Sequence, residues 1–270
     1  MIQHDCGHQS LFSSNWLNNW TGRILGVLTL TPFDYWLHNH ALHHASSGNL
    51  DRRGVGDIDT LTVDEFFARS KLQQLLYRIY RNPITLFLVG PAYMFFLQHR
   101  LPVRMWKRGW KPWLSTMGTN VGIFAVAFGV IYITNLNTFL TVVLPTTLIA
   151  ATFGVWMFFV QHQFEDTVWD QYPGWNRHDA SLYGSSHYDL PPILRWFTGN
   201  IGVHHVHHIN SKIPFFQIPR VLQDYPALAD INRITIRESL STVKLALWDR
   251  AERKLVSFRD AKGRCNDLQS

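Results

Sequence analysis

"GTNVGIFAVAFGVIYITNLNTFLTVVLPTTLIAATFGVWMFFV", Gly118 to Val160, contains no Asp, Glu, Lys or Arg, and the charge-free run extends from Pro112 to Phe164. Within it, residues 118–134 and 139–160 read as two helices apolar on every face, separated by the short turn "NLN" at 135–137. Each is close to the roughly 20 residues that a helix needs to cross a bilayer. A helix apolar all round belongs in lipid or in the centre of a large core. The expected element is a transmembrane hairpin, and it sets the fold class: an all-α integral membrane protein.

The flanks orient the hairpin. Ahead of it stands "RMWKRGWKP", with Arg104, Lys107, Arg108 and Lys111. Basic loops stay on the cytoplasmic side, so both hairpin ends are expected there. The remaining chain then forms a cap on that face or dips into it. Trp106, Trp110 and Trp113 are spaced four and three apart, as in an interfacial aromatic stripe on a helix. Residues 82–98, "NPITLFLVGPAYMFFLQ", are apolar but broken by Gly90 and Pro91. An interfacial or re-entrant helix is expected there, with a third span as the alternative. In 237–258, Leu240, Val243, Leu247, Ala251, Leu255 and Phe258 recur at helical spacing, which predicts a helix packed on the cap or on the lipid surface.

Composition agrees. The chain has 270 residues, is 46% hydrophobic and is only 16% charged, below the quarter usual in soluble domains. Its mean hydropathy of −0.07 fits a small membrane part under a large polar cap. The only cysteines are Cys6 and Cys265, which excludes a disulfide framework and a C-x-x-C zinc site. The net charge of +6 comes with no nucleic-acid motif, so no nucleic-acid partner is expected. The start, "MIQHDCGHQ", has neither the basic residues nor the apolar run of a signal peptide.

The chemistry lies in the histidines. Of 14 in the chain, ten fall in three clusters: His4 and His8; His38, His40, His43 and His44; and His204, His205, His207 and His208. Residues three and four apart share a helix face. His4 and His8 therefore point the same way, as do His40, His43 and His44, and His204, His207 and His208. The pattern H-x-x-H-H occurs twice, where chance at this composition gives roughly 0.04 occurrences. So many imidazoles exceed what one closed zinc site takes. They divide naturally between two metals of a kind that imidazole suits, such as iron. Neither H-E-x-x-H nor the Glu-x-x-His of carboxylate di-iron bundles is present.

"HDCGH" at His4, "HALHH" to His44, "VQHQF" around His162 and "GNIGVHHVHHINSKIP" around His204 together resemble the membrane fatty acid desaturase family, more closely its acyl-lipid, Δ12/omega-6-like branch. The resemblance covers essentially the whole chain and implies a single desaturase domain, 1–270. It implies two non-haem irons in the cytosolic cap, held by His4, His8, His40, His43, His44, His162, His204, His207 and His208. It implies O2 as co-substrate, electrons from a separate ferredoxin- or cytochrome b5-type donor, and a cis double bond inserted into a membrane lipid acyl chain. Family members place a further transmembrane hairpin ahead of the first box. Here Met1 precedes His4 by three residues, so a chain N-terminally truncated relative to the family is expected. Another membrane di-iron oxygenase, such as a lipid hydroxylase, and an inactive fragment are the alternatives.

The remaining polar residues take lesser roles. His38 and His205 lie off the ligand faces. His205 is a possible partner of a ligand, His187 a structural group, and His99 and His178 solvated. Asp5 either hydrogen-bonds a ligand or a neighbour, since metal-bound histidines usually donate their other N–H to such a partner, or is a helix-surface aspartate. Cys6 is a small packing residue. Phe215 and Phe216 line an acyl channel or belong to the core.

Overall fold

The structure is a computed structural model, describing residues 1–54, 56–103 and 105–267, with side chains to 263. Arg104 of the basic flank lies outside the described residues. In chain order come α1 (Ile2–Gly7), α2 (Asn15–Leu28), α3 (Phe33–Ser46), β1 (Leu61–Thr62), α4 (Val63–Ala68) and α5 (Lys71–Tyr80). A π-helical turn, Thr85–Val89, leads into α6 (Gly90–Phe96), followed by α7 (Trp110–Ile133) and α8 (Leu136–Thr138). A second π-helical turn, Phe139–Val143, leads into α9 (Leu144–His162). Then come α10 (Arg177–Tyr183), β2 (His187–Asp189), α11 (Pro192–Phe197), α12 (His204–Ile209), α13 (Ile218–Asp224) and β3 (Arg233–Thr235). The chain ends with α14 (Ile236–Thr242), β4 (Leu245–Asp249), β5 (Lys254–Ser257) and α15 (Phe258–Asp267). It divides into two compact units, Met1–His40 with Pro83–Trp156 and Ala41–Asn82 with Met157–Ser270.

The first unit carries most of the apolar helix. Among the described residues two helices are long and apolar enough to cross a membrane, Trp110–Ile133 with 24 residues and Leu136–His162 with 27. At 1.5 Å per residue they are about 36 and 40 Å long, more than a hydrocarbon core needs. Their side chains mostly face outward: Phe124 is 72% exposed and Tyr132 82%. A helix in the core of a soluble protein would bury such residues. The turn forms where "NLN" predicts it, with Asn135 Oδ1 accepting from the Thr138 N–H at 2.8 Å.

α7 begins eight residues earlier than expected, at Trp110. Gly109 ends the preceding turns with a φ of 86° that other residues avoid. Pro112 falls in the helix's first turn, where a missing N–H costs nothing. Trp106 is therefore in the turns and the predicted three-tryptophan helical stripe does not form; instead the Trp113 indole N–H donates to the Trp106 carbonyl at 3.4 Å. The broken apolar segment is helical but short, from the turn at Thr85 to Phe96, with Ile84, Leu88 and Tyr93 exposed. Its length fits an interfacial helix and falls short of a third span.

The second unit corrects the all-helical expectation locally. β4 pairs in parallel with β1 and antiparallel with β5, and β2 pairs in parallel with β3. Residues 237–258, read as one helix, instead fold as α14, β4 and β5. The reason is burial: Ala246, Leu247, Trp248 and Asp249 are all buried in succession. A helix would turn some of these outward, whereas a central strand covered on both faces buries all of them. Leu255 and Val256 of β5 complete the same layer, against Phe66 and Tyr77 on one side and Leu50 and Trp169 on the other.

At the end of α5 sits a buried cation. Arg81 donates to Gln163 Oε1 at 2.7 Å and to the Leu245 carbonyl at 2.8 Å, and also to Thr60 Oγ1 at 3.2 Å. All of these acceptors are neutral. They tie the loop after α9 to β4 and to the segment before β1.

Candidate metal centre

The first unit brings together His4, His8 and His40. His4 lies on α1, His8 just beyond it and His40 on α3. His40 Nε2 stands 2.9 Å from His8 Nε2 and 3.2 Å from His4 Nε2. Trp36, one helical turn before His40, stacks on its ring at 4.5 Å and 17°. Asp5 is buried and places Oδ1 3.2 Å from His4 Nδ1.

The second unit assembles a closed set of four: His43, His162, His204 and His208, all buried. Successive Nε2 atoms are 3.1 Å apart for His43–His162, 3.0 Å for His162–His204, 3.1 Å for His204–His208 and 3.3 Å for His208–His43. The remaining pair, His44 and His207, meets through Nε2 atoms 3.0 Å apart. The two H-x-x-H-H patterns thus share their faces as expected but divide in their contacts. His43 joins the four and its neighbour His44 does not; His204 and His208 join and His207 does not.

Tertiary contacts position these side chains. α12 starts against β2: the His204 N–H donates to the Ser186 carbonyl at 3.1 Å, and the Tyr188 N–H to the Gly202 carbonyl at 2.7 Å. The loop before β2 also wraps the end of α9. Ser186 donates through its N–H to the Gln161 carbonyl and through its hydroxyl to the Val160 carbonyl, both at 3.0 Å. The Gly184 carbonyl accepts from His162 Nδ1 at 3.3 Å. A side chain at Gly184 would meet the Ala180 carbonyl oxygen at 2.4 Å, so only glycine lets the loop pass this close.

The donor set fits a metal ion. A carbonyl only accepts, so His162 carries its proton on Nδ1 and aims an Nε2 lone pair at the other three rings. His43 Nδ1 lies 2.8 Å from Asp57 Oδ1, which sets a carboxylate beside its outer nitrogen. Lone pairs directed at one another repel unless a cation stands between them. Donors bound to one metal at about 2.1 Å would lie roughly 3.0–3.4 Å from their neighbours, a range that includes the spacing found. Burial, reinforced by His44, His204, His162 and His43, holds His208 well below the ordinary imidazole range. It is therefore neutral at physiological pH, the state a ligand requires.

A profile of the fatty acid desaturase family matches residues 1–239. The chain belongs to the fatty acid desaturase family. It is 42% identical over 262 residues to a fatty acid desaturase of Bacillus subtilis (strain 168), covering 97% of this chain and 74% of that protein. It is 24% identical over 237 residues to the sn-1 oleoyl-lipid 12-desaturase of Anabaena variabilis, covering 81% of this chain and 62% of the relative. It is 27% identical over 237 residues to the sn-1 acyl-lipid omega-3 desaturase (ferredoxin) of Synechocystis sp. (strain ATCC 27184 / PCC 6803 / Kazusa), covering 83% and 62%. The chain thus spans about three fifths of the length of these cyanobacterial relatives. Two regiochemistries occur at comparable identity, so similarity favours neither. Desaturases are oxidoreductases, and the family carries that class to this chain.

The outlying histidines depart from expectation at His99 and His205. His99, expected in solvent, is buried between Tyr35 and Phe95, and burial together with Arg100 lowers its pKa to about 4. His178 is exposed. His187 is structural, with Nδ1 2.6 Å from the Ala229 carbonyl. His205 is buried but bonds the Leu228 carbonyl at 2.9 Å rather than a ligand. His38 lies 3.4 Å from Arg108. Cys6 is buried, and desolvation pushes its thiol up to about 11. Phe216 is exposed and stacks edgewise on Phe215. The residue that the sequence did not single out is Asp57. It stands in "GDID", 13 residues after His44 and with no pattern linking it to His43.

Proposed function

We propose that this chain, as one desaturase domain, is an O2-dependent di-iron desaturase that inserts a cis double bond into the acyl chain of a membrane lipid. The observation that supports it most is the meeting of His43, His162, His204 and His208. These come from three segments, with 119 residues between His43 and His162 and 165 between His43 and His208. These four hold one iron in this reading. His4, His8 and His40 of the first unit and His44 and His207 of the second are the further iron ligands that the family resemblance implies.

A mid-chain methylene has no acidic proton and no leaving group, so acid–base and nucleophilic catalysis have nothing to act on. Bound iron supplies the oxidation, in which O2, two electrons and two protons, together with two hydrogens of the acyl chain, become two waters and an alkene. The protein's part is to present neutral nitrogen donors, to fix them and to exclude water. Asp57 orients His43, the Gly184 carbonyl orients His162, Asp5 orients His4, and Trp36 holds the plane of His40. The electrons come from a separate ferredoxin- or cytochrome b5-type protein. The apolar hairpin crosses the membrane with both ends cytoplasmic, as the basic residues before α7 require.

The test is reconstitution in lipid nanodiscs with ferredoxin, its reductase and NADPH. Iron per chain and the fatty acids released from the lipids are measured, the latter by gas chromatography with double-bond localisation. Two irons and a new cis alkene are expected, both lost in His204→Ala. Stoichiometric zinc with no iron uptake, or an iron-loaded chain giving a hydroxylated product, would overturn the proposal.

A further inference from the structure

Helix α5 turns its apolar side outward. Leu72, Leu75, Leu76 and Ile79 stand at i, i+3, i+4 and i+7, and are 65%, 53%, 56% and 51% exposed. The opposite side is anchored. Tyr77 is buried and donates to the Ala246 carbonyl at 2.7 Å, while accepting from the Leu61 N–H at 3.0 Å. Tyr80 Oη accepts from the Asp59 N–H at 2.9 Å. Ser70 and Gln73 form a reciprocal cap at its start. The helix is thus fixed in its rotation, and its apolar stripe cannot turn inward.

Charge says what covers this stripe. Residues 69–82, "RSKLQQLLYRIYRN", contain Arg69, Lys71, Arg78 and Arg81 and no Asp or Glu. Arg81 is buried among neutral acceptors, and Arg78 lies over the Phe258 ring at 4.4 Å. Arg69 and Lys71 remain exposed at the N-terminal end of the stripe. An apolar face on a helix that itself carries cations and no acidic residue matches the boundary between acyl chains and anionic headgroups. A protein partner would leave the missing acidic complement unexplained. Three residues beyond Ile79 the chain enters the apolar segment 82–98, whose Ile84, Leu88 and Leu97 are also exposed.

We propose that α5 lies in the plane of the membrane, with Leu72, Leu75, Leu76 and Ile79 in the acyl region and Arg69 and Lys71 on anionic lipid headgroups. This gives α5 a membrane contact of its own, and the proposal goes beyond the desaturase assignment.

The test uses the full chain in nanodiscs containing phosphatidylglycerol, with Cys6→Ala and Cys265→Ser as background. Single spin labels are placed at Leu72, Leu76 and Ile79, at Gln73 as the polar control and at Phe128 of α7 as the hairpin control. Collision with oxygen and with a water-soluble nickel chelate is measured. The stripe labels are expected to be roughly fivefold less accessible to nickel than Gln73, as for side chains 5–10 Å into the boundary. Lys71→Glu is expected to raise their nickel accessibility, and so is replacing the lipid by phosphatidylcholine alone. Stripe labels as accessible to nickel as Gln73 would overturn the proposal. So would labels shielded from both reagents, the mark of a protein partner, or dipolar broadening, the mark of a second copy. A lipid-buried Phe128 label beside water-exposed stripe labels would sink this inference and leave the desaturase assignment standing.

Discussion

Asp57 Oδ1 lies 2.8 Å from His43 Nδ1, and both side chains are almost wholly buried. A carboxylate beside the far nitrogen of a metal-binding imidazole helps to hold the ring in place. Asp57→Asn keeps the size and removes the charge. It is expected to weaken iron binding by about 10- to 100-fold with little change in helix content. Competition with a graded series of iron chelators, read beside circular dichroism, checks this. Unchanged affinity would mean that His43 needs no charged partner.

Gly184 is held close to the Ala180 carbonyl while its own carbonyl receives His162 Nδ1. Gly184→Ala forces the last turn of α10 open at the Ala180 carbonyl. A loss of about 1–3 kcal/mol is expected from such overpacking. Iron content should fall with it, because the acceptor that orients His162 moves. Thermal unfolding in detergent, with metal analysis of the surviving folded fraction, separates the two effects.

Arg81 satisfies Gln163, Thr60 and the Leu245 carbonyl at once. Arg81→Met fills much of the volume and donates nothing, so buried acceptors are left unpaired at a cost of about 2–3 kcal/mol. Arg81→Lys, with one compact ammonium in place of a planar fork, recovers only part of this. Denaturation midpoints of the three proteins should rank arginine, lysine, methionine. Equal midpoints for arginine and methionine would show that the acceptors find water.

His99 gives a pH dependence of definite sign. Its pKa is about 4 when folded against 6.5 when free. Above pH 6.5 it is neutral in both states and its burial is unpenalised. As pH falls from 6.5 to about 4 the unfolded chain takes up a proton that the folded chain refuses, and stability is lost across that window, on the order of 3 kcal/mol at most. His99→Gln does not titrate. Its melting temperature should approach or overtake that of the unsubstituted protein as pH is lowered through this range, and a constant gap between the two would contradict it.

Sequence patterns located most of these features without explaining their company. The two apolar helices were legible because length and the absence of charge, which mark them, are properties of consecutive residues. His40 and His44, four apart, point one way for the same local reason. Leu247 and Leu255 misled, because a helical spacing of apolar residues also arises by coincidence in two strands buried on both faces.

The sequence by itself determined the two apolar helices, the three histidine clusters and the chemical class of their donors. Only the tertiary structure decided that His43 sits with His162, His204 and His208 while His44 sits with His207. It also decided that Asp57 and the Gly184 carbonyl hold the outer nitrogens. Helical periodicity governs neighbours within about one turn. Which side chains meet across 119 or 165 residues depends on how strands, loops and helix ends pack, and no spacing in the sequence records it.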